Sequence, residues 1–332
     1  MFSRTLSIAY IFLGMIIGIT SVVTYCYLND NIPLVDDCDD FELLNPYVRC
    51  EPDENLAKKK EFTDFKIKLQ EKIFMWIGQG RISHASVYLR DLQFGPWMGI
   101  EEQETYSAAS LLKVAIMLTL LRQEELHPGI LQQKIEITPE FISAYVQEIP
   151  PTKQIEAGKT YTIDELLECM IVHSDNNATN VLNSYLNSIS TDGPLLMRTL
   201  EELGFIGEFT TDDSLSVKQS ASIFRLLYNS SYLHKELSQK ALDLLLRTTF
   251  LNGIRSSIPV SIKVAHKFGE RLLPDGKRQL HDCGIVYHPG SHYLLCIMTQ
   301  GDDIEELAHV IHDISAIVNA EMDTRNRIKD RR

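Results

Sequence analysis

What this sequence lacks narrows its chemistry first. Basic residues are the minority: 32 Lys and Arg stand against 45 Asp and Glu in 332 residues, a formal net charge of -13. That balance, with a pI near 5.2, excludes a broad electropositive surface of the kind that grips nucleic acid or anionic lipid. The 10 histidines and 6 cysteines show none of the paired spacings that hold zinc, so no metal is expected, nor any cofactor. No internal repeat or low-complexity tract runs through the chain, which sets aside solenoids and disordered tails.

One long uncharged apolar run is present. Residues 5–28, TLSIAYIFLGMIIGITSVVTYCYL, are enough for one helix to cross a bilayer. No Ala-x-Ala cleavage pattern follows it, and Tyr25 is too bulky a neighbour for Cys26 to be a lipoprotein site, so an uncleaved anchor is expected. Arg4 precedes the span while Asp30, Asp36, Asp37, Asp39, Asp40 and Glu42 follow it. The basic side stays cytoplasmic, so the body faces outward. The expected organisation is a transmembrane anchor over 1–28, an acidic extracytoplasmic tether over 29–54, one catalytic domain over 55–325 and a basic tail over 326–332, RNRIKDRR being read as a solvated end.

The cysteines divide by environment. Cys26 falls in the span, Cys169 on an apolar helix face, and Cys283 and Cys296 in strands, where packed thiols are expected. Cys38 and Cys50 flank a short polar segment outside the membrane, where both a disulfide and two free thiols remain open.

Periodicity then gives the elements. Leu56–Ile77 and the stretch IEELAHVIHDISAIVNAEM near the C-terminus repeat apolar residues at helical spacing. SHASVYLRDL, VSIKVAHKFGE, HDCGIVY and HYLLCIMTQ read as strands, the last two joined at His288-Pro-Gly-Ser, with His266, His281 and His292 as strand and hairpin residues. Residues from about 105 to 245 read as almost wholly helical. The fold class is α+β: an antiparallel sheet packed by terminal helices, an all-α lobe beside it, and the N-terminal transmembrane helix.

Three short words carry the chemistry: Ser110-Leu-Leu-Lys113, Ser174-Asp175-Asn176 and Lys267-Phe268-Gly269. A serine hydroxyl is a weak nucleophile at neutral pH and needs a proton acceptor within reach. Residues three apart on a helix share a face, so Lys113 can stand over Ser110. Burial near a second cation would hold Lys113 neutral, as a base must be. Each word alone is a common coincidence, with Ser174-Asp175-Asn176 equally readable as a loop or cap and Lys267 as a snorkelling strand residue. Together, in this order, with 64 residues from Ser110 to Ser174 and 93 from Ser174 to Lys267, they match the set of class A β-lactamases and penicillin-binding proteins.

Residues from about 60 to 322 accordingly resemble a class A β-lactamase or a close penicillin-recognising relative. GKTYTIDELLECMIVHSDNNATNVL is similar to that family's helix pair bearing Ser-Asp-Asn, and GIRSSIPVSIKVAHKFG to the segment leading an arginine and a proline into the Lys-Thr-Gly strand. The resemblance implies that Ser110 attacks a β-lactam or peptide carbonyl with Lys113 as base. It implies an oxyanion hole from the backbone N–H groups of Ser110 and Glu270, and proton delivery by Ser174 beside Lys267. Asn176, Gly269 and Arg255 would bind substrate, Arg255 taking its carboxylate.

Two departures stand out. Phe268 replaces the usual Thr or Ser and cannot donate a hydrogen bond to a substrate carboxylate. The family's Glu-x-x-Leu-Asn loop is missing; LEELGFIGEFTTDDSLSV stands there, some ten residues short, with Glu208 the nearest candidate for a deacylating base. A β-lactam hydrolase, a D,D-peptidase or related cell-wall hydrolase acting on peptidoglycan peptides, and a slowly released β-lactam sensor all fit this pattern.

Overall fold

Strand residues that alternate in sequence alternate here between two cores. In the strand Tyr293–Gly301 the residues Tyr293, Leu295 and Ile297 enter one hydrophobic cluster, whereas Leu294, Cys296 and Met298 enter the other. The period of two sends successive side chains to opposite faces, and both faces are covered. The computed structural model describes residues 62–144, 147–205 and 214–329.

From the N-terminal side the elements are α1 (Thr63–Gly78), β1 (His84–Asp91), β2 (Trp97–Ile100), β3 (Thr105–Ser107) and a 3-10 turn at Ala109–Leu111. There follow α2 (Leu112–Leu126), β4 (Lys134–Glu136), β5 (Thr160–Thr162), α3 (Ile163–Val172), α4 (Asn176–Ile189) and α5 (Leu195–Glu202). The chain closes with β6 (Ser214–Ser216), α6 (Val217–Tyr228), α7 (Lys235–Leu246), β7 (Val264–Leu272), β8 (Arg278–Val286), β9 (Tyr293–Gly301) and α8 (Ile304–Lys329). Five strands form one antiparallel sheet in the order β2-β1-β9-β8-β7.

On one face of the sheet lie the terminal helices. Leu307, Val310, Ile311, Ile314 and Val318 of α8 recur at helical spacing and are fully buried, joined by Phe65, Leu69, Ile73 and Trp76 of α1. Each such side chain contributes about 1.5–3 kcal/mol on leaving water. On the other face sits the helical lobe. Its centre is α2, whose residues Val114–Leu121 are apolar apart from the buried Thr119, which returns its hydroxyl to Ala115 O (2.9 Å). A helix apolar all round must be surrounded, and α2 is. Thr162 and Glu165 cap α3 reciprocally, as do Ser216 and Gln219 for α6.

The α+β architecture and the sheet with its terminal helices agree with the sequence, with differences of detail. The region between β3 and α7 is not all helix: two short ribbons, β3 with β6 and β4 with β5, cross it. The strand β2 has no counterpart in the sequence reading. The strand β7 begins at Val264, after the turn set by Pro259 and Ile262. The helix α8 continues to Lys329, and Asn326 in its last turn is buried, donating to Pro289 O at 3.2 Å. The apolar run 5–28, the tether, the Cys38 and Cys50 pair and Glu208 lie outside the described residues. No helix among the described residues is long and apolar enough to cross a membrane.

One expectation is corrected. Cys283 and Cys296 are not separate packed thiols but a disulfide between facing positions of β8 and β9, both fully buried. Alternation put them on one face, and the register then brought them opposite. Cys169 is a free buried thiol, its pKa pushed up to about 11 by burial. Peptide mapping without reductant should recover Cys283 linked to Cys296. Replacing both by Ala should cost about 2–4 kcal/mol in denaturant unfolding, the usual worth of a bond closing a loop of this size. A map showing both as free thiols would contradict the pairing.

Candidate active site

The Ser110 hydroxyl stands where two elements are forced into proximity. Ser110 occupies the 3-10 turn ahead of α2 rather than the helix proper. Ala109, just before it, has φ +46°, and Ser174 has φ +58°. Both are left-handed backbones at non-glycine residues, a strain that persists only where the surroundings impose it. The edge strand β7 runs directly past this turn. A Cβ added to Gly269 would meet the backbone N of Ser110 at 2.9 Å and that of Leu111 at 3.1 Å, so only glycine lets the strand approach so closely.

That approach also brings backbone N–H groups of the strand and the turn to one side of β7. As the outermost strand, β7 has one hydrogen-bonding edge free of the sheet. The carbonyl of Phe268 lies on the site side of the strand, where it accepts from Lys267 Nζ at 2.9 Å. Backbone groups of residues two apart share an edge, which puts the N–H of Glu270 on the same side, with Ser110 N nearby.

Two lysines meet at one hydroxyl. Lys113 Nζ donates to Ser174 O at 2.7 Å, to Asn176 Oδ1 at 2.7 Å and to Ser174 Oγ at 3.2 Å. Lys267 Nζ donates to the same Ser174 Oγ at 2.9 Å and stands 4.2 Å from the Phe268 ring centre. Lys113 is 4 % exposed and Lys267 0 %. Burial outweighs the pull of Asp175 and Glu270 and lowers the Lys113 pKa to about 7. Complete burial, with the charge of Lys113, pushes Lys267 well below its ordinary value. No hydrogen bond among the described residues joins Ser110 to Lys113. In its neutral form the amine carries a lone pair that can accept a proton.

The Ser174 turn is held from below. Asp175 is fully buried and accepts from Asn177 N and Ile155 N, both at 2.9 Å, capping α4. Burial raises its pKa while these bonds and Lys113 oppose the rise. Asn176 opens α4 and is half-buried, as is Ser110.

The remaining candidates separate. Phe268 is buried and stacks on Phe250 with centroids 4.3 Å apart, on the side of the terminal helices. Arg255 lies in the turn Ile254–Ser257, donating to Ile262 O at 2.9 Å and Pro259 O at 3.2 Å, and makes no bond to Ser110, Lys113, Ser174 or Lys267. The pairing of β3 with β6 sets Ser214, the first described residue after the segment containing Glu208, opposite Ser107.

Some site residues had no sequence signal. Gln147 Nε2 reaches Ser174 O at 3.3 Å, and the Glu270 side chain accepts from Glu148 N at 3.1 Å. Beneath Lys267, His266 pairs with Asp282 at 2.8 Å, both buried. A Ser-Asp-Asn word names its own residues but not those that another loop brings across.

The match to known proteins follows the same outline. Residues 68–322 match the beta-lactamase enzyme family, and the chain belongs to it, with a class A β-lactamase-like serine hydrolase fold. A variant of PBP-A solved as its acyl-enzyme with penicillin G shares 19% identity with a TM-score of 0.67, covering 80% of this chain and 98% of that one. A class A β-lactamase from Mycobacterium abscessus shares 21% identity at a TM-score of 0.65, covering 76% of this chain and 99% of that one. A β-lactamase from Xanthomonas campestris pv. campestris shares 20% identity at a TM-score of 0.64, covering 75% of this chain and 96% of that one.

The lysine burial yields a testable pH dependence. If the neutral amine of Lys113 takes the Ser110 proton, the second-order rate of Ser110 acylation should rise with pH through an apparent pKa of about 7 and level off above it. Stopped-flow rates between about pH 5.5 and about pH 8.5 check this. A flat profile would assign the proton to another group.

Proposed function

We propose that the chain is a serine acyl-transfer enzyme acting on β-lactams, which it opens to an acyl-enzyme on Ser110. The observation that carries this reading is the convergence of both buried lysine amines on Ser174 Oγ, at 2.9 and 3.2 Å, beside the half-buried Ser110. Lys113 accepts the Ser110 proton as Oγ bonds to the lactam carbonyl carbon. The N–H groups of Ser110 and Glu270 hold the resulting oxyanion. The ring C–N bond then breaks, and Ser174 passes a proton to the leaving nitrogen and is resupplied by the adjacent lysines. Asn176 offers its amide to the acyl side chain. Water completes the cycle by cleaving the ester.

The missing Glu-x-x-Leu-Asn pattern favours slow completion. Acylation requires only groups already assembled around Ser110, whereas deacylation requires a held water. A D,D-peptidase acting on peptidoglycan peptides uses the same acylating groups, and a β-lactam sensor stops at the acyl-enzyme. Intact-mass measurement of the full chain with benzylpenicillin tests all three. An adduct on Ser110 should form rapidly, approach one equivalent and decay slowly, and Ser110→Ala should abolish it while leaving the fold intact. Labelling of that variant would refute the nucleophile. Fast hydrolysis without accumulation, trapped by Glu208→Gln, would make Glu208 the deacylating base.

The proposal extends to location. Residues 5–28 anchor the chain and the catalytic body lies outside the cytoplasm, a reading supported by the Cys283–Cys296 disulfide, since such bonds persist in oxidising compartments. A reporter fused after residue 332 should be active only outside the cytoplasm, and the protein should remain with membranes after a carbonate wash. A species starting near residue 27–30 would instead show cleavage.

A further inference from the structure

The helix α1 is apolar on two sides, and the fold uses only one of them. Phe65, Leu69, Ile73 and Trp76 turn into the core shared with α8. On the outer side Ile67, Phe74 and Met75 are 52 %, 59 % and 46 % exposed. Positions seven and eight apart share a helix face, so these three form one strip. The outer face of a surface helix is ordinarily polar, and an exposed apolar strip marks a contact surface.

Lysines border the strip. Lys66 stands along one margin, Lys68 and Lys72 along the other, and none of them makes an ion pair or side-chain hydrogen bond among the described residues. Arg81, just beyond the helix, is by contrast paired with Glu306 and Asp313. Lys58, Lys59 and Lys60 extend the basic run on the N-terminal side in sequence. Asp64 in the first turn and Glu71 within the strip are the opposing acids, which leaves the face net positive on a chain whose formal charge is -13. That total bars a broad basic surface but not a local one.

An apolar strip between rows of lysine suits a helix lying in the surface of an anionic bilayer. The ring and aliphatic chains enter the acyl boundary, while the lysine stems lie along it and carry their ammonium groups to the phosphates. Position in the chain agrees, because α1 is the first described element after the apolar run 5–28, with only residues 29–61 between that run and Phe62. A chain already joined to the bilayer meets it again as an intramolecular partner, so a patch too small to recruit a free protein suffices. The helix α1 packs on β2, one edge of the sheet, whereas Lys267 lies on β7 at the other edge, roughly 19 Å away at the ordinary strand spacing.

We propose that the outer face of α1 is a docking surface for an anionic phospholipid bilayer, holding the β2 edge of the body against the membrane and leaving β7 and the Ser110 turn at the far edge. This goes beyond the acyl-transfer reading and rests on the anchoring of residues 5–28.

The full chain in phosphatidylglycerol–phosphatidylcholine vesicles doped with a diazirine phospholipid tests it, with photo-adducts mapped by peptide. Adducts should appear on residues 5–28 and on 67–75, but not around Leu251 and Val260, which are exposed as well but lack a lysine border. Phe74→Ser with Met75→Ser should abolish the α1 adducts, Lys68→Glu with Lys72→Glu should reduce them several-fold, and Glu71→Gln should raise them. Vesicles of phosphatidylcholine alone should weaken the α1 adducts and spare those on 5–28. Unchanged thermal unfolding shows that each variant keeps its fold, and should the serine pair fail to fold, the glutamate pair carries the test. Adducts on 5–28 with none on α1, or α1 adducts that survive both pairs of substitutions, overturn this inference alone. Adducts on α1 without any on 5–28 overturn the anchoring and leave the docking surface standing, and adducts on neither overturn both. Cross-linking of α1 to α1 between two copies in detergent, lost in Phe74→Ser, would make a second copy the occupant and overturn the proposal.

Discussion

The sharing of Ser174 Oγ by two buried ammonium groups is the constraint to which the rest of the site answers. Burial lowers the pKa of both lysines, and the charge of Lys113 lowers that of Lys267 further. Burial does this work for Lys113 without any specialised partner, because the environment disfavours its charged form. The same burial requires that every donor find an acceptor. The carbonyl of Ser174, the amide oxygen of Asn176 and the carbonyl of Phe268 supply them. The left-handed backbone of Ser174 aims its carbonyl and hydroxyl at one lysine together. Asp175 keeps that turn in place by capping α4 from beneath.

A second constraint is distance between lobes. The helical lobe supplies Ser110, Lys113 and Ser174, and the sheet supplies Lys267 and the Glu270 N–H. Gly269 is the only residue type that allows the contact, since any Cβ would press on the Ser110 turn. The surroundings of Ser110 are thus set by packing between a strand edge and a helix start, rather than by either alone.

Much of this was legible in the sequence because it is encoded locally. Alternation along HYLLCIMTQ and VAHKFGE gives strands, helical repetition gives α1 and α8, and Ser-x-x-Lys places its two residues on adjacent turns. The unread features depend on what meets across space. Cys283 and Cys296 lie on one face of their strands, yet which residues oppose one another is fixed by the register that the 288–291 turn imposes. The carboxyl of Glu270 acquires its neighbours from the 147–149 segment, more than a hundred residues earlier. The resemblance implies a carboxylate-binding role for Arg255, and its present partners, the carbonyls of Pro259 and Ile262, were not legible in the sequence.

The two ends of the domain are also its last joints to close. Strand β1 pairs with β9, α1 packs with α8, and Arg81 bonds Glu306 across a separation of 225 positions. Nearly the whole helical lobe is inserted between them. During synthesis the early strand and helix must therefore wait for the final stretch of chain before their apolar faces have anything to bury against. Loop closure over such a span makes folding slow and late, and exposes those faces in the interval. A chain cut short before α8 would lose more than a helix: it would leave much of one sheet face, and the inner side of α1, open to water.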